Sequence, residues 1–224
     1  MAFLVPAYER IKKETGANNV TLVAVTKTKP VEEILEAYKA GQRDFGENYV
    51  QELVEKYEAL PKDINWHFIG HLQSNKVKYI ATFVHLIHGV DSEKLLVEIN
   101  RQGARFNRVI PCLLQVFIAA EETKFGLDAK ELDELMQKIN ANKEQFKNVA
   151  VKGLMGMASF TEDNDLIKKE FNQLKKLYDK YSSPDGEFSI LSMGMSADYM
   201  FGIEAGSTMI RVGSLLFGSR IIKK

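Results

Sequence analysis

Lys27 is the residue of this 224-residue chain best placed for covalent chemistry. It closely follows the apolar run Val20–Val25, which has the length of a buried strand. At the mouth of a parallel barrel, partial desolvation lowers the pKa of an amine and makes it available to attack a carbonyl carbon. A surface or ion-paired lysine fits the same position. Lys29, next to Pro30 at a predicted helix start, is expected to point to solvent.

Two loops near the C-terminus carry groups that could hold an anion. They are 192–198 and 211–214, and each follows one of the last two strand candidates. Barrels often bind phosphate with these two loops, and in a closed barrel both lie beside the loop that follows the first strand. A phosphate site next to Lys27 suits pyridoxal phosphate (PLP), and it also suits a lysine aldolase acting on a sugar phosphate. Taken singly, Ser196 and Gly213 could be only a helix cap and a turn.

Arg211 bears on the choice between these two chemistries. A guanidinium is always charged and only donates hydrogen bonds. Beside a pyridine nitrogen, Arg211 would disfavour protonation of that nitrogen and weaken the ring as an electron sink. A cofactor would then be held but less activated for carbanion chemistry. The structural alternative for Arg211 is a salt bridge inside the barrel.

Short apolar runs alternate with amphipathic segments along the whole chain. The strand candidates are 20–25, 44–46, 66–69, 84–90, 110–118, 149–154, 189–192 and 209–212. The helix candidates are 3–15, 31–40, 50–60, 75–83, 92–106, one capped by Asp128, 165–181 and 197–205. Continuously apolar strands are typical of a parallel sheet covered on both faces. We therefore predict an α/β fold, a single (β/α)8 TIM barrel over residues 1–224 with an extra N-terminal helix. An open doubly wound sheet shares the pattern, but no G-x-G-x-x-G follows the first strand.

The composition excludes several classes of protein. The 30 Lys and Arg residues balance the 30 Asp and Glu residues, which argues against nucleic-acid binding. We expect no membrane span, because no apolar stretch reaches about 18 residues, and the N-terminus lacks the pattern of a signal peptide. The single Cys112 cannot form an intramolecular disulfide and is expected to be a small buried hydrophobe. These features predict a cytoplasmic globular protein.

The four histidines and the single cysteine show no metal-ligand spacing, so no metal site is expected. His85 and His88 lie within the fourth strand candidate and are interpreted as core or surface histidines.

Five motifs resemble the pyridoxal-phosphate homeostasis protein family, which is similar to the N-terminal barrel domain of alanine racemase. They are AVTKTKP at 24–30, FGENYVQE at 45–52, WHFIGHLQSNK at 66–76, LSMGMS at 191–196 and GSTMIRVG at 206–213. The resemblance covers nearly the whole chain. It implies a barrel of PLP fold type III with PLP on Lys27 as an internal aldimine. It also implies that Arg211 faces the pyridine nitrogen.

The resemblance implies roles for further residues. Ser196, Gly213 and Ser214 would hold the phosphate, and Asn48 would contact the cofactor. Met157 or its neighbours would form part of the wall near the ring.

Racemases of this fold take a second acid or base from a β-rich second domain of the partner subunit. Because eight βα units occupy all 224 residues, we expect no such domain here. The sequence therefore predicts a non-catalytic, monomeric PLP carrier in intracellular PLP homeostasis. It would buffer the cofactor, could deliver it to PLP-dependent apoenzymes, and would so affect amino-acid and keto-acid balance. A low-activity amino-acid racemase is the alternative.

A racemase would need a substitute base at the barrel mouth. The candidates are His67, His71, Tyr49 and Asp198. His67, in the third strand candidate, is a candidate for lining the mouth, although a structural hydrogen-bonded histidine is the simpler interpretation. His71 could instead cap the next helix.

Overall fold

Eight parallel strands form a closed barrel in the computed structural model, which describes residues 3–120, 125–182 and 186–218. The strands are β1 Thr21–Val25, β2 Asp44–Glu47, β3 Asn65–Phe68, β4 Leu86–Val90, β5 Ile110–Gln115, β6 Val149–Met155, β7 Ile190–Met195 and β8 Met209–Val212. Strand β1 pairs with both β2 and β8, with Ala24 opposite Phe45 and Val212, and this pairing closes the barrel. The predicted (β/α)8 barrel is confirmed, and the open sheet is wrong.

Helices follow the strands and cover the barrel. They are α1 Val5–Ala17, α2 Val31–Lys39, α3 Val50–Ala59, α4 Val77–Ile80, α5 Glu93–Arg105, α6 Ala129–Ala141, α7 Asn164–Asp179, α8 Tyr199–Glu204 and α9 Ser214–Phe217. Helix α1 precedes β1 and is the predicted extra N-terminal helix. None of the helices in the described part of the chain combines the length and apolarity that a membrane span requires.

Local side-chain chemistry accounts for several helix boundaries. The Ser92 hydroxyl accepts a hydrogen bond from the Leu95 backbone at the start of α5. Asp128 and Glu131 form a capping box at the start of α6. The segment predicted as one helix over 75–83 is shorter, because a 3-10 turn at Ser74–Lys76 precedes the four-residue α4. Short 3-10 turns of this kind often flank helix ends.

The barrel sheet has two buried faces, one towards the helices and one towards the inside of the barrel. Side chains that face the helices join the main apolar core. Inside the barrel, five buried apolar side chains form a separate cluster, comprising Val23, Leu86, Leu113, Met155 and Met209. Because alternate strand residues share a face, Leu86 and Met209 lie on the same side as the polar residues two positions further on.

The thiol of Cys112 should be almost inert in the native protein. It is fully buried in β5, as expected, and burial raises its pKa to about 12. Because only the thiolate is nucleophilic, labelling requires opening of the barrel. We expect an aromatic disulfide reagent at pH 8 to label native protein at least about 1,000-fold more slowly than urea-unfolded protein. Stoichiometric labelling of folded protein within seconds would contradict this packing.

Candidate functional site at the barrel mouth

Lys27 lies in the loop between β1 and α2, at the carboxyl end of the barrel strands. Its side chain is half-buried, and the preceding Thr26 is fully buried. The expectation that Lys29 points to solvent is wrong, because its ammonium donates to the Phe217 carbonyl at 2.5 Å and its side chain is 12% exposed. Phe217 is the last residue of α9, so the methylene groups of Lys29 lie beside this helix while the ammonium bonds to its end.

A buried ion pair holds the residue before Lys27 in place. The Thr26 hydroxyl donates to Glu47 Oε1 at 2.6 Å. The Lys56 ammonium, which is 6% exposed, donates to the same Glu47 oxygen and to the Thr26 carbonyl, each at 2.7 Å. The end of β1, the end of β2 and helix α3 are therefore joined directly behind Lys27.

The residue after Lys27 is held by the same group of charges. Glu52 accepts a hydrogen bond from the Thr28 backbone at 2.6 Å and another from Lys56 at 2.6 Å. Lys56 consequently connects to the backbone on both sides of Lys27. Lys27 is thus displayed by a fixed loop.

Glu47 carries a strongly perturbed carboxyl group. Burial raises its pKa to about 7, although the positive charge of Lys56 and hydrogen bonds from Lys56 and Thr26 oppose the rise. Its second oxygen, Oε2, is buried without a hydrogen-bond partner among the described residues. Neither Glu47 nor Lys56 has a predicted role from the sequence. The spacing of Glu52 and Lys56, four residues apart on one helix, was the available signal.

Replacing Thr28 with glycine should stabilise the folded protein. Thr28 has φ +63°, a left-handed conformation that costs a β-branched residue about 1–2 kcal/mol. Thr28→Gly removes this strain but makes the unfolded chain more flexible, which takes back about 0.4–1 kcal/mol. We expect a net gain of about 0.5–1 kcal/mol in the free energy of unfolding, measured by urea denaturation. The matched control Thr21→Gly, in strand β1, should lose stability. Equal losses in both variants would contradict the argument.

The two loops predicted to bind an anion are in direct contact. The backbone N–H of Gly213 donates to the Ser196 hydroxyl at 3.1 Å. Gly213 also packs on the end of β1, since an added Cβ would lie 3.3 Å from Val25 Cβ. Ser214 is exposed and begins α9. Gly213 therefore follows β8, the strand next to β1, and Ser196 follows β7, one strand further from the β1 that leads into Lys27.

Arg211 extends inside the barrel and is 4% exposed. It donates to the Ser192 carbonyl at 2.9 Å, to the Ser192 hydroxyl at 2.6 Å and to the Gly156 carbonyl at 3.1 Å. These partners are neutral oxygens, so within the described residues Arg211 does not form the interior salt bridge considered above. Burial lowers its pKa to about 10, with Asp198 opposing, and the group stays cationic at pH 7.

Asn48 follows β2 and faces the end of β3. Its side-chain oxygen is buried without a hydrogen-bond partner in the described part of the chain. Gly70 approaches so closely that an added Cβ would collide with the Asn48 carbonyl. Asn48 therefore offers a buried acceptor to which no described residue donates.

The strand order brings most of the predicted site residues to one side of the mouth. Adjacent strands β7, β8, β1 and β2 lead into the predicted residues Ser196, Arg211, Gly213, Ser214, Lys27 and Asn48. Met157 follows β6, is half-buried and packs against the interior apolar cluster.

The four candidate bases differ in their position and in their hydrogen-bond partners. His67 lies within β3 and does not line the mouth, because its ring bonds to groups deeper in the barrel. His71 does not cap the next helical turn, which begins at Ser74; it bonds to Asp91 at 3.1 Å. The His71 ring also stacks on Phe125, with ring centroids 4.5 Å apart.

The other two candidates differ in exposure. Tyr49 is 56% exposed, whereas Asp198 is buried and accepts a hydrogen bond from the Met195 backbone at 2.5 Å.

A hydrogen-bond chain runs through the barrel from Arg211. Beyond the Arg211–Ser192 contact, Ser192 Oγ lies 3.2 Å from His88 Nδ1, and His88 Nε2 lies 2.9 Å from His67 Nδ1. His67 Nε2 lies 3.1 Å from Asp44 Oδ1. Burial, with the charges of His67 and Arg211, holds the pKa of His88 well below its usual value. With neutral imidazoles, every link has one donor and one acceptor.

This barrel, with a lysine after β1 and contacting loops after β7 and β8, is of the class formed by the N-terminal domain of alanine racemase. The family model "Alanine racemase, N-terminal domain" matches residues 7–221. The chain is 37% identical to the pyridoxal phosphate homeostasis protein of Pasteurella multocida over 223 residues, which is 97% of this chain and 93% of the relative. The chain belongs to the pyridoxal phosphate homeostasis protein family, as the five motifs indicated.

Solved structures agree with this assignment. PipY of Synechococcus elongatus with PLP bound has a TM-score of 0.80 and 33% identity, and the match covers 95% of this chain and 100% of PipY. Alanine racemase of Bartonella henselae, with covalently bound pyridoxal phosphate, has a TM-score of 0.72 at 17% identity. This second likeness shows the fold alone, and the chain spans 59% of the racemase.

Proposed function

We propose that this protein binds PLP at the barrel mouth, covalently through Lys27, and that it buffers and delivers the cofactor without turning over amino acids. The observation that carries the proposal is the strand order: β7, β8, β1 and β2 are adjacent. They lead into an amine, two loops suited to an anion, an interior guanidinium and an amide oxygen that has no hydrogen-bond partner among the residues the structure describes. Family membership, and the PLP bound in PipY, support the same cofactor.

The residues present fit the groups of PLP. The Lys27 amine would condense with the aldehyde carbon, with loss of one water. The Ser196 hydroxyl and the backbone N–H groups around Gly213 and Ser214 would hold the phosphate by hydrogen bonds. The buried oxygen of Asn48 would accept a hydrogen bond from a donor on the ligand. Arg211 would direct an N–H towards the ring nitrogen.

Arg211 also favours a carrier over an enzyme. Bound PLP supplies an electron sink, and the sink is strongest when its ring nitrogen is protonated. Arg211 keeps its positive charge at neutral pH and has no acceptor for a proton. Protonation of the ring nitrogen is therefore disfavoured, and carbanion chemistry is weakened.

A racemase is not favoured. Of the candidate bases, His67 is turned away from the mouth and His71 is paired with Asp91. In our proposal, residues 1–224 act as one domain and as a cytoplasmic monomer. The partners are PLP and PLP-dependent apoenzymes, with no role for nucleic acid or a membrane.

The carrier function can be tested by transfer of the cofactor. PLP-loaded protein, freed of unbound PLP, is mixed with an apo-aminotransferase, and recovery of aminotransferase activity is followed. We expect recovery to depend on the loaded protein. Protein whose lysine–PLP bond has first been reduced with borohydride is the matched control and should restore nothing. If unreduced protein also releases no PLP, the delivery function is wrong.

The racemase alternative predicts a different result. PLP-loaded protein would exchange the α-hydrogen of amino acids for deuterium in heavy water. We expect no exchange above that of free PLP across a panel of amino acids.

A further inference from the structure

The end of the barrel opposite Lys27 carries a second group of potential ligands. Asp44 begins β2, His67 lies in β3, and His85 directly precedes β4. One ligand atom from each of these three side chains lies within 4.8 Å of the other two. They line a cavity of about 540 Å³ that is formed by residues at the amino ends of the strands.

The separation of the Asp44 and His67 ligand atoms suits a small tetrahedral ion. Asp44 Oδ1 and His67 Nε2 are 3.1 Å apart. Two ligands that each lie about 2.0–2.1 Å from zinc at a tetrahedral angle are roughly 3.3 Å from one another. The His85 ring centroid is 5.3 Å from that of His67, and His85 is exposed, so an ion can reach the group from solvent.

The hydrogen bonds behind His67 suit a metal ligand. A histidine that binds a metal through one nitrogen usually donates its other N–H to a fixed partner. His67 Nδ1 lies 2.9 Å from His88 Nε2, and His88 Nδ1 lies 3.2 Å from Ser192 Oγ. With a metal on His67 Nε2, its proton moves to Nδ1 and both links reverse direction. Each ring nitrogen still has a partner, so binding leaves none unsatisfied.

The charge of the cavity also suits a cation. Lys152 and Glu187 line the same cavity and form an ion pair of 2.8 Å, so their charges cancel. The charge of Asp44 remains. The Asn65 side chain donates to Asp44 Oδ1 at 3.2 Å and so holds the carboxylate in place at the cavity.

We propose that Asp44, His67 and His85 bind a divalent transition-metal ion, with Zn²⁺ as the best match. Two imidazoles and one carboxylate form a zinc ligand set, and the fourth position would open to the cavity and take water or a small anion. The site is separate from the PLP site and does not depend on it.

The test is zinc binding to the full-length chain after chelator treatment and without added PLP. Isothermal titration calorimetry with zinc sulfate should give one ion per chain with a dissociation constant in the micromolar range or below. His85→Ala changes an exposed side chain, so its fold should survive, and it should weaken binding by at least about 100-fold, beyond the usual effect of a residue that only supports a ligand. Asp44→Asn should also weaken binding.

His71→Ala is the matched control, because His71 is likewise exposed and paired with an aspartate, Asp91, at the opposite end of the barrel. It should leave zinc affinity unchanged. A purely structural hydrogen-bond cluster predicts no zinc binding by the native chain, and that result would overturn the proposal. Equal loss of affinity in His71→Ala and His85→Ala, which indicates adventitious surface binding, would overturn it as well.

Discussion

Lys27→Ala should abolish the visible absorption that the native protein acquires with PLP. The band of the lysine-bound cofactor, shifted from that of free PLP, requires a covalent bond to an amine, and Lys27 is the amine that follows β1 beside the loops after β7 and β8. The remaining hydrogen bonds could still hold PLP reversibly, so we expect weak binding without the chromophore. The measurement is an absorption spectrum of each protein after incubation with PLP and desalting.

Two further variants separate the amine from its charge and its loop. Lys27→Arg keeps the positive charge but cannot form the bond, and should lose the band as completely as Lys27→Ala. Lys29→Ala, two residues away, should keep it, because Lys29 bonds to the Phe217 carbonyl instead. Borohydride reduction followed by peptide mapping should place the added mass on Lys27. An undiminished band in Lys27→Ala would show that another amine holds the cofactor.

Among the single variants, Lys56→Met should lower the free energy of unfolding the most. The Lys56 and Glu47 side chains are 6% and 0% exposed, and the ammonium is bonded to two carboxylates and to the Thr26 carbonyl. Removing one member of a buried pair costs about 3–5 kcal/mol, because the other group must either stay charged without its partner or take up a proton. Urea denaturation at pH 7 measures this difference.

The loss in Lys56→Met should grow with pH. In the native protein, the pKa of Glu47 is raised from 4.5 to about 7, so the folded state holds a proton that the unfolded state has released. The stabilising effect of that proton is complete below about pH 4.5 and is lost as pH rises towards 7. Without Lys56 the pKa rises further, so stability continues to fall above pH 7. Denaturation curves at pH 5 and pH 8 should therefore differ more in the variant.

Two controls test whether charge burial is the cause. The double variant Glu47→Gln/Lys56→Met should recover part of the loss, because a neutral amide needs no cation. Lys130→Met breaks an exposed pair with Glu134 and should leave stability close to that of the native protein. A double variant no more stable than Lys56→Met would refute the uncompensated charge as the cause.

The local sequence pattern predicted the strands and the helix starts well. The last strand has the predicted bounds, Met209–Val212, and the side chains of Ser92 and Asp128 cap their helices as expected. These features depend on residues close together in the sequence, which periodicity and capping rules describe. The incorrect expectation for Lys29 has the opposite origin, because its partner Phe217 lies 188 residues away.

The alternation of side chains along β3 did not decide which face of the strand carries His67. A slip of one residue in the pairing register moves a side chain to the other face, and that register depends on the neighbouring strands. The sequence predicted that β3 begins at Trp66, whereas it begins at Asn65. Its depth in the barrel follows from the stagger of the closed sheet, which no single strand encodes.

The sequence by itself determined the order of strands and helices, the family, and the loops that carry Lys27, Ser196 and Arg211. Only the tertiary structure showed the buried ion pair of Glu47 and Lys56, the hydrogen-bond chain from Arg211 to Asp44, and the cluster of Asp44, His67 and His85. Histidine spacing along the chain gave no sign of a metal site, since the two histidines and the aspartate come from three different strand segments. Such partners meet only when neighbouring strands pair in the right register, because that register sets both the face and the depth of each side chain.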